Sequence, residues 1–331
     1  MDREFKLALS LVAALAALSV FLLGNLAGVG IFSREFVRGF VPFFLLLVPF
    51  ILQSTEIWVA VLRRWSEPSR ARKLVLPAYI ALVYILSSFL NDNFSVPLFG
   101  KLAAWILVPS LLLVFATRLF PPYIAESAAA LALWLPLEFG ELSGFDIIFT
   151  PGIQIPAQPF AAVVLGYTCF AVLRGLPDIG YTFRWQWKDM GKVAVALPVL
   201  ALVLVPAGTW SGFIGLSPGP TSPLEAVKLL LGIYFLVAIP EELLFRGLIQ
   251  NLLSKLWAGR PRGSAEALAA ASLIFGFSHW NNFNPPDWRY VALATVAGAL
   301  YGWTYNRTGK TTVSALVHCG VNFIWAVLFK G

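Results

Sequence analysis

The chain has 331 residues, of which 59% are hydrophobic and only 12% charged, and its formal net charge is +7. Soluble domains carry about 25% charged residues, so composition excludes an ordinary soluble globular protein, and no stretch has the polar balance of a separate soluble domain. The two cysteines, Cys169 and Cys319, both lie in apolar runs and exclude a disulfide framework or a cysteine-rich metal site.

Apolar stretches of bilayer-crossing length, about 17–25 residues, recur along the chain. They predict an all-α, polytopic transmembrane bundle of about eleven spans. In chain order these are 7–27, 39–62, 74–90, 100–117, 122–137, 158–173, 193–207, 225–256, 264–280, 288–305 and 311–329. The first resembles a signal peptide but is longer than a usual apolar core, with no clear small-x-small cleavage site, and reads as a retained span.

Lysine and arginine in the loops set the orientation. With a cytoplasmic N-terminus, seventeen fall on the cytoplasmic side: Arg3, Lys6, Arg63, Arg64, Arg70, Arg72, Lys73, Arg118, Arg174, Arg184, Lys188, Lys192, Lys255, Arg260, Arg262, Arg307 and Lys310. Four (Arg34, Arg38, Lys101 and Arg289) fall opposite, and the C-terminus then lies outside. This alternation accounts for the basic balance without a nucleic-acid partner. The expectation is an integral multi-pass protein of the plasma (inner) membrane, with the lipid bilayer as its partner.

No internal repeat is visible. The Gly/Pro/Ser-rich stretch 208–223 marks a boundary between 1–222, a transmembrane region of about seven spans with no legible role, and 223–331, with four. Ser222-Pro223-Leu224-Glu225 has the form of a helix start: Ser as N-cap, Pro in the first turn and Glu three residues on.

The chemistry lies after that boundary. Ionisable residues inside hydrocarbon-length segments are costly and mark function by default. Glu241 and Glu242 sit inside the 225–256 stretch, and Arg246 follows Glu242 at the spacing of an i,i+4 ion pair. Adjacent helical residues point about 100° apart, so the two carboxylates can serve different ends. A Glu242–Arg246 pair would leave Glu241 as a general acid or base; the reverse assignment stays open. Pro240 removes a backbone hydrogen bond just before the pair. The turn 259–263 is equidistant from Glu242 and His279, so an antiparallel hairpin brings them to the same depth. His318 and Asn322 are one turn apart on the last span and share a face. These are the two histidines of the chain. Neighbouring helical side chains diverge, which argues against Cys319 as a nucleophile. Gly298 and Gly302 form a GxxxG that reads as internal packing.

Together, Glu241-Glu242-x-x-x-Arg246, Phe275-x-x-x-His279 and His318-x-x-x-Asn322 resemble the CAAX protease and bacteriocin-processing (CPBP, or Abi) family of intramembrane proteases, which includes the type II CAAX prenyl endopeptidases. The resemblance covers about residues 223–331. It implies a CPBP-like catalytic bundle and an endopeptidase hydrolysing a peptide bond in a membrane-associated protein or peptide. By position, it implies that Glu241 and His279 activate water, that His318 and Asn322 stabilise the oxyanion, and that Glu242, Arg246 and Phe275 support them. Members have also been described as metalloproteases. The resemblance therefore allows either no cofactor or a single zinc ion on Glu241, His279 and His318, three ligands with an open water position. No His-Glu-x-x-His is present. Two other readings compete: a non-proteolytic scaffold or immunity-type protein on the same bundle, and a transporter using Glu241 and His279 as a proton relay. The complete set of Glu, His, His and Asn favours the peptidase, and a transporter would show two related halves.

Overall fold

The computed structural model describes residues 3–27, 30, 33–150, 152–217, 219 and 222–330. The chain divides into two compact units, Met1–Pro177 and Asp178–Gly331. The first holds α1 (Arg3–Ala27), α2 (Arg34–Leu52), α3 (Glu56–Ser66), α4 (Arg70–Leu90), α5 (Val96–Phe115), α6 (Ile124–Glu138), a short antiparallel hairpin of β1 (Asp146–Thr150) and β2 (Ile153–Pro156), and α7 (Gln158–Tyr167), which continues to Leu173 as wider turns.

The second holds α8 (Trp187–Trp210), β3 (Gly215–Leu216), α9 (Pro223–Gly232), α10 (Ile239–Glu242), α11 (Asn251–Leu256), α12 (Gly263–Phe277), α13 (Trp288–Thr308), α14 (Thr311–Leu328) and β4 (Phe329–Lys330), which pairs with β3. It begins at Asp178, and within it α8 packs on α13 and α14.

The protein is an all-α integral membrane bundle. Six described helices are long and apolar enough to cross a bilayer: Arg3–Phe21, Arg34–Leu52, Arg70–Leu90, Val96–Arg118, Trp187–Trp210 and Thr311–Leu328. One sequence expectation changes in detail. The stretch 39–62 is not one helix. At Gln53-Ser54-Thr55 the Ser54 and Thr55 hydroxyls each donate to a carbonyl three residues back, at 2.7 Å, and Thr55 caps α3 by accepting from the Trp58 amide. Such local side-chain bonds compete with helix continuation. On α6, the Glu126 side chain is buried and accepts a 2.6 Å hydrogen bond from Arg174.

From 223 to 256 the chain is helical throughout, but two stretches, Ile233–Ala238 and Leu243–Gln250, wind with i→i+5 bonds. They flank the four-residue α10, which carries Pro240 and both glutamates. Widened turns of this kind are rare and concentrate at functional sites. As the sequence indicates, Ser222 caps α9, accepting from the Glu225 amide at 3.2 Å.

Small residues let the helices around the site approach closely. A Cβ at Gly276 would stand 2.7 Å from the Val291 carbonyl, one at Gly298 2.9 Å from the Phe275 ring, and one at Gly302 2.4 Å from Gln250 Oε1. Gly298 and Gly302 thus serve packing within the bundle, where Gln250 also donates to the Gly302 carbonyl at 3.2 Å and to Asn306 at 2.9 Å.

Candidate active site

Three helical segments of the second unit carry the singled-out side chains, α10 with its widened continuation, α12 and α14, and α13 packs on α12 and α14. Glu242 is fully buried and its carboxylate is a hub. Arg246 Nε donates to Oε2 at 3.1 Å, Ser314 Oγ donates to the same oxygen at 2.5 Å, and His318 Nδ1 lies 3.1 Å from Oε1. The i,i+4 spacing places Arg246 one turn on from Glu242, and both side chains are excluded from solvent. A buried ion pair of this kind tolerates its desolvation better when further hydrogen bonds surround it; Ser314 and His318 provide them to the carboxylate.

Glu241 differs. Its side chain is 33% exposed, its Oε2 accepts no hydrogen bond, and that oxygen stands 3.8 Å from His318 Nε2. The adjacent glutamates therefore approach one imidazole from its two nitrogens. Glu242 holds the Nδ1 edge, and Glu241 faces the Nε2 edge across a gap too wide for a direct hydrogen bond.

His318 is further fixed by stacking on Tyr301, with ring centroids 4.6 Å apart and planes 13° from parallel. Phe275 stands between the two histidines, 4.8 Å from the His279 ring and 5.7 Å from that of His318, and the Arg246 guanidinium lies 5.0 Å from its centroid. His279 sits just past the end of α12. Its Nδ1 lies 2.8 Å from the Phe275 carbonyl near the helix end, which also accepts from the Ser278 hydroxyl at 2.7 Å. With a proton on Nδ1 there, Nε2 is left to accept. Tyr290 meets the His279 ring edge-on at 4.9 Å.

His279, His318 and Asn322 open onto one cavity of about 90 Å³, together with Phe275, Tyr290 and Tyr301. Most of the rest of its wall is hydrocarbon from α8, α13 and α14, including Leu200, Leu204, Leu293, Val321 and Trp325, with Phe213 from the turn after α8. Sites of this form, apolar with a few convergent polar groups, are the usual form of small-ligand pockets. The sequence motifs thus meet around one cavity: Glu241, Glu242, Arg246 and His318 as a bonded or near-bonded set, Phe275 as a spacer, and His279 and Asn322 on the cavity wall.

Three participants were not marked by the sequence reading. Ser314 lies four residues before His318, a spacing that would have suggested a shared face. Tyr301 and Tyr290 sit on α13, which carries none of the Glu, Arg, Phe, His or Asn motif residues, and the α8 wall lies before the expected boundary. Among the described residues, no three His, Cys, Asp or Glu side chains are grouped so as to hold a metal ion. His279 and His318 line the cavity, and Glu241 Oε2 stands 3.8 Å from His318 Nε2.

Comparison with protein families gives one match. Residues 223–324 fit the family model described as Rce1-like, type II CAAX prenyl endopeptidase. This segment, the last third of the chain and the part that carries every motif residue, is similar to that family and accords with the CPBP resemblance. Comparisons with curated proteins and with solved structures give no significant match.

Proposed function

We propose that the protein is an intramembrane endopeptidase that hydrolyses a peptide bond in a membrane-associated protein or peptide. The observation that carries this reading is the approach of Glu241 Oε2 to within 3.8 Å of His318 Nε2, beside a cavity that also exposes His279 and Asn322. A carboxylate free of competing hydrogen bonds can hold a water and take its proton. An acceptor nitrogen on His279 is suited to share that proton and pass it to the leaving amine. His318 and Asn322, one turn apart on α14, are placed to donate to the oxygen on which negative charge develops. Glu242 and Arg246 do not touch substrate in this scheme; they fix His318. In this reading catalysis runs without a metal, with Glu241 as the base. The N-terminus is cytoplasmic, following the loop charges.

The test compares peptide ends in membranes holding the wild-type chain or Glu241→Ala. A set of ends present with wild type and missing with the variant is expected; identical profiles would favour the scaffold reading. Activity of the purified protein should persist in a chelator, and elemental analysis should find less than one zinc per chain.

A further inference from the structure

We infer that Ser314 is a positioning residue that fixes which nitrogen of His318 works at the cavity. The inference deepens the peptidase reading and rests on it for its functional meaning, but not for its geometry.

Ser314 is fully buried on α14, one turn before His318, and both reach Glu242. Its hydroxyl has two acceptors in range, Glu242 Oε2 at 2.5 Å and the Tyr301 carbonyl at 2.7 Å, but one proton to give. The carboxylate is the stronger acceptor, and 2.5 Å is the length of a charge-assisted O–H···O⁻ bond. Ser314 and Arg246 together occupy Oε2, so Oε1 is the oxygen left for His318. A carboxylate held at this oxygen keeps the imidazole proton on Nδ1, as carboxylate partners of catalytic and metal-binding histidines do. The Nε2 edge then faces Glu241. Unprotonated, Nε2 can accept a proton; protonated, with Glu242 balancing the charge at Nδ1, it donates to an oxyanion. In both states Nδ1 stays committed to Glu242. Without the Ser314 hydroxyl, Glu242 can rotate about Arg246, and the imidazole loses the contact that selects its tautomer.

The chain has only two histidines, so the test needs no substrate. Full-length protein labelled with ¹⁵N-histidine, in lipid nanodiscs, gives two sets of ring resonances, assigned by His279→Gln. In wild type, neutral His318 should carry its proton on Nδ1. In Ser314→Ala the His318 signals should move toward the fast-exchanging tautomer average while those of His279 stay in place. That unmoved pair reports an intact fold. Ser314→Thr, which keeps the hydroxyl, should restore the wild-type pattern. An Nε2-protonated His318 in wild type, or an unchanged His318 spectrum in Ser314→Ala, would overturn the inference. If both rings shift together, the effect is general loosening and the inference also falls. The peptide-end comparison is read separately: a Glu241→Ala profile matching wild type removes the peptidase reading, while the histidine spectra still decide the role of Ser314.

Discussion

Arg246 spans from Glu242 to Phe275, donating through Nε at 3.1 Å to the carboxylate while its guanidinium carbon lies 5.0 Å from the ring centroid. One cation thus ties the buried carboxylate to the aromatic that separates the two histidines. Its Nη1 and Nη2 have no hydrogen-bond partner among the described residues, so the ring face is their main neighbour, and a planar guanidinium suits it better than an ammonium.

Removing this cation strands a buried charge. Arg246→Met should cost about 3–5 kcal/mol, read as a lowered unfolding midpoint in detergent. Arg246→Lys should recover only part of the loss, because the ring contact and the Nε geometry both go.

The two glutamates should separate experimentally. Glu241→Gln, at a partly exposed carboxylate whose Oε2 is unbonded, should leave thermal stability near wild type. It should lower the yield of wild-type-dependent peptide ends by about 10²–10⁴-fold, the usual worth of a general base. Glu242→Gln should lower both stability and yield, since three donors converge on that group. Equal stability losses in the two variants would contradict the division of roles.

Asn322→Ala should preserve the fold and reduce cleavage by about 10²–10³-fold, as expected for one oxyanion donor. Quantitative mass spectrometry of the ends identified with wild type would measure it.

Glycine substitutions should grade with the stiffness of what they meet. Gly276→Ala places a Cβ 2.7 Å from the Val291 backbone carbonyl and closer still to the Thr295 hydroxyl, so α12 and α13 must move apart, at about 1–3 kcal/mol. Gly298→Ala meets the Phe275 ring at 2.9 Å, and that ring stands between His279 and His318. Its effect should therefore be larger on cleavage than on the unfolding midpoint. The paired measurement on both variants checks the ordering.

How much of this could be read from residues alone varied with the kind of signal. Membrane character and the motif residues were plain, because charge is so expensive in hydrocarbon that Glu241, Arg246, His279 and His318 stand out. The Glu242–Arg246 spacing also gave its partner directly. The division at 177/178 was hidden because α8 looks like any other apolar helix; only packing shows which unit it joins. The break at Gln53–Thr55 was hidden for a different reason. Three uncharged polar residues in an apolar run carry no strong hydropathy signal, yet the hydroxyls of two of them, Ser54 and Thr55, take up carbonyls a continuing helix would use. Tyr290 and Tyr301 were missed because an aromatic on an apolar helix looks the same whether it packs against lipid, leucine or imidazole.

The widened winding at Leu243–Gln250 holds about one more residue than ordinary α-helical turns of the same rotation would need. Dropping one residue there would let the stretch tighten to α-helical winding, and the tighter turns would offset much of the lost rotation. Glu241 and Glu242 upstream and the Asn251–Leu256 turns downstream would then stay close to their present relative aim. In this helix the loose winding is slack between the chemistry and the scaffold it leans on.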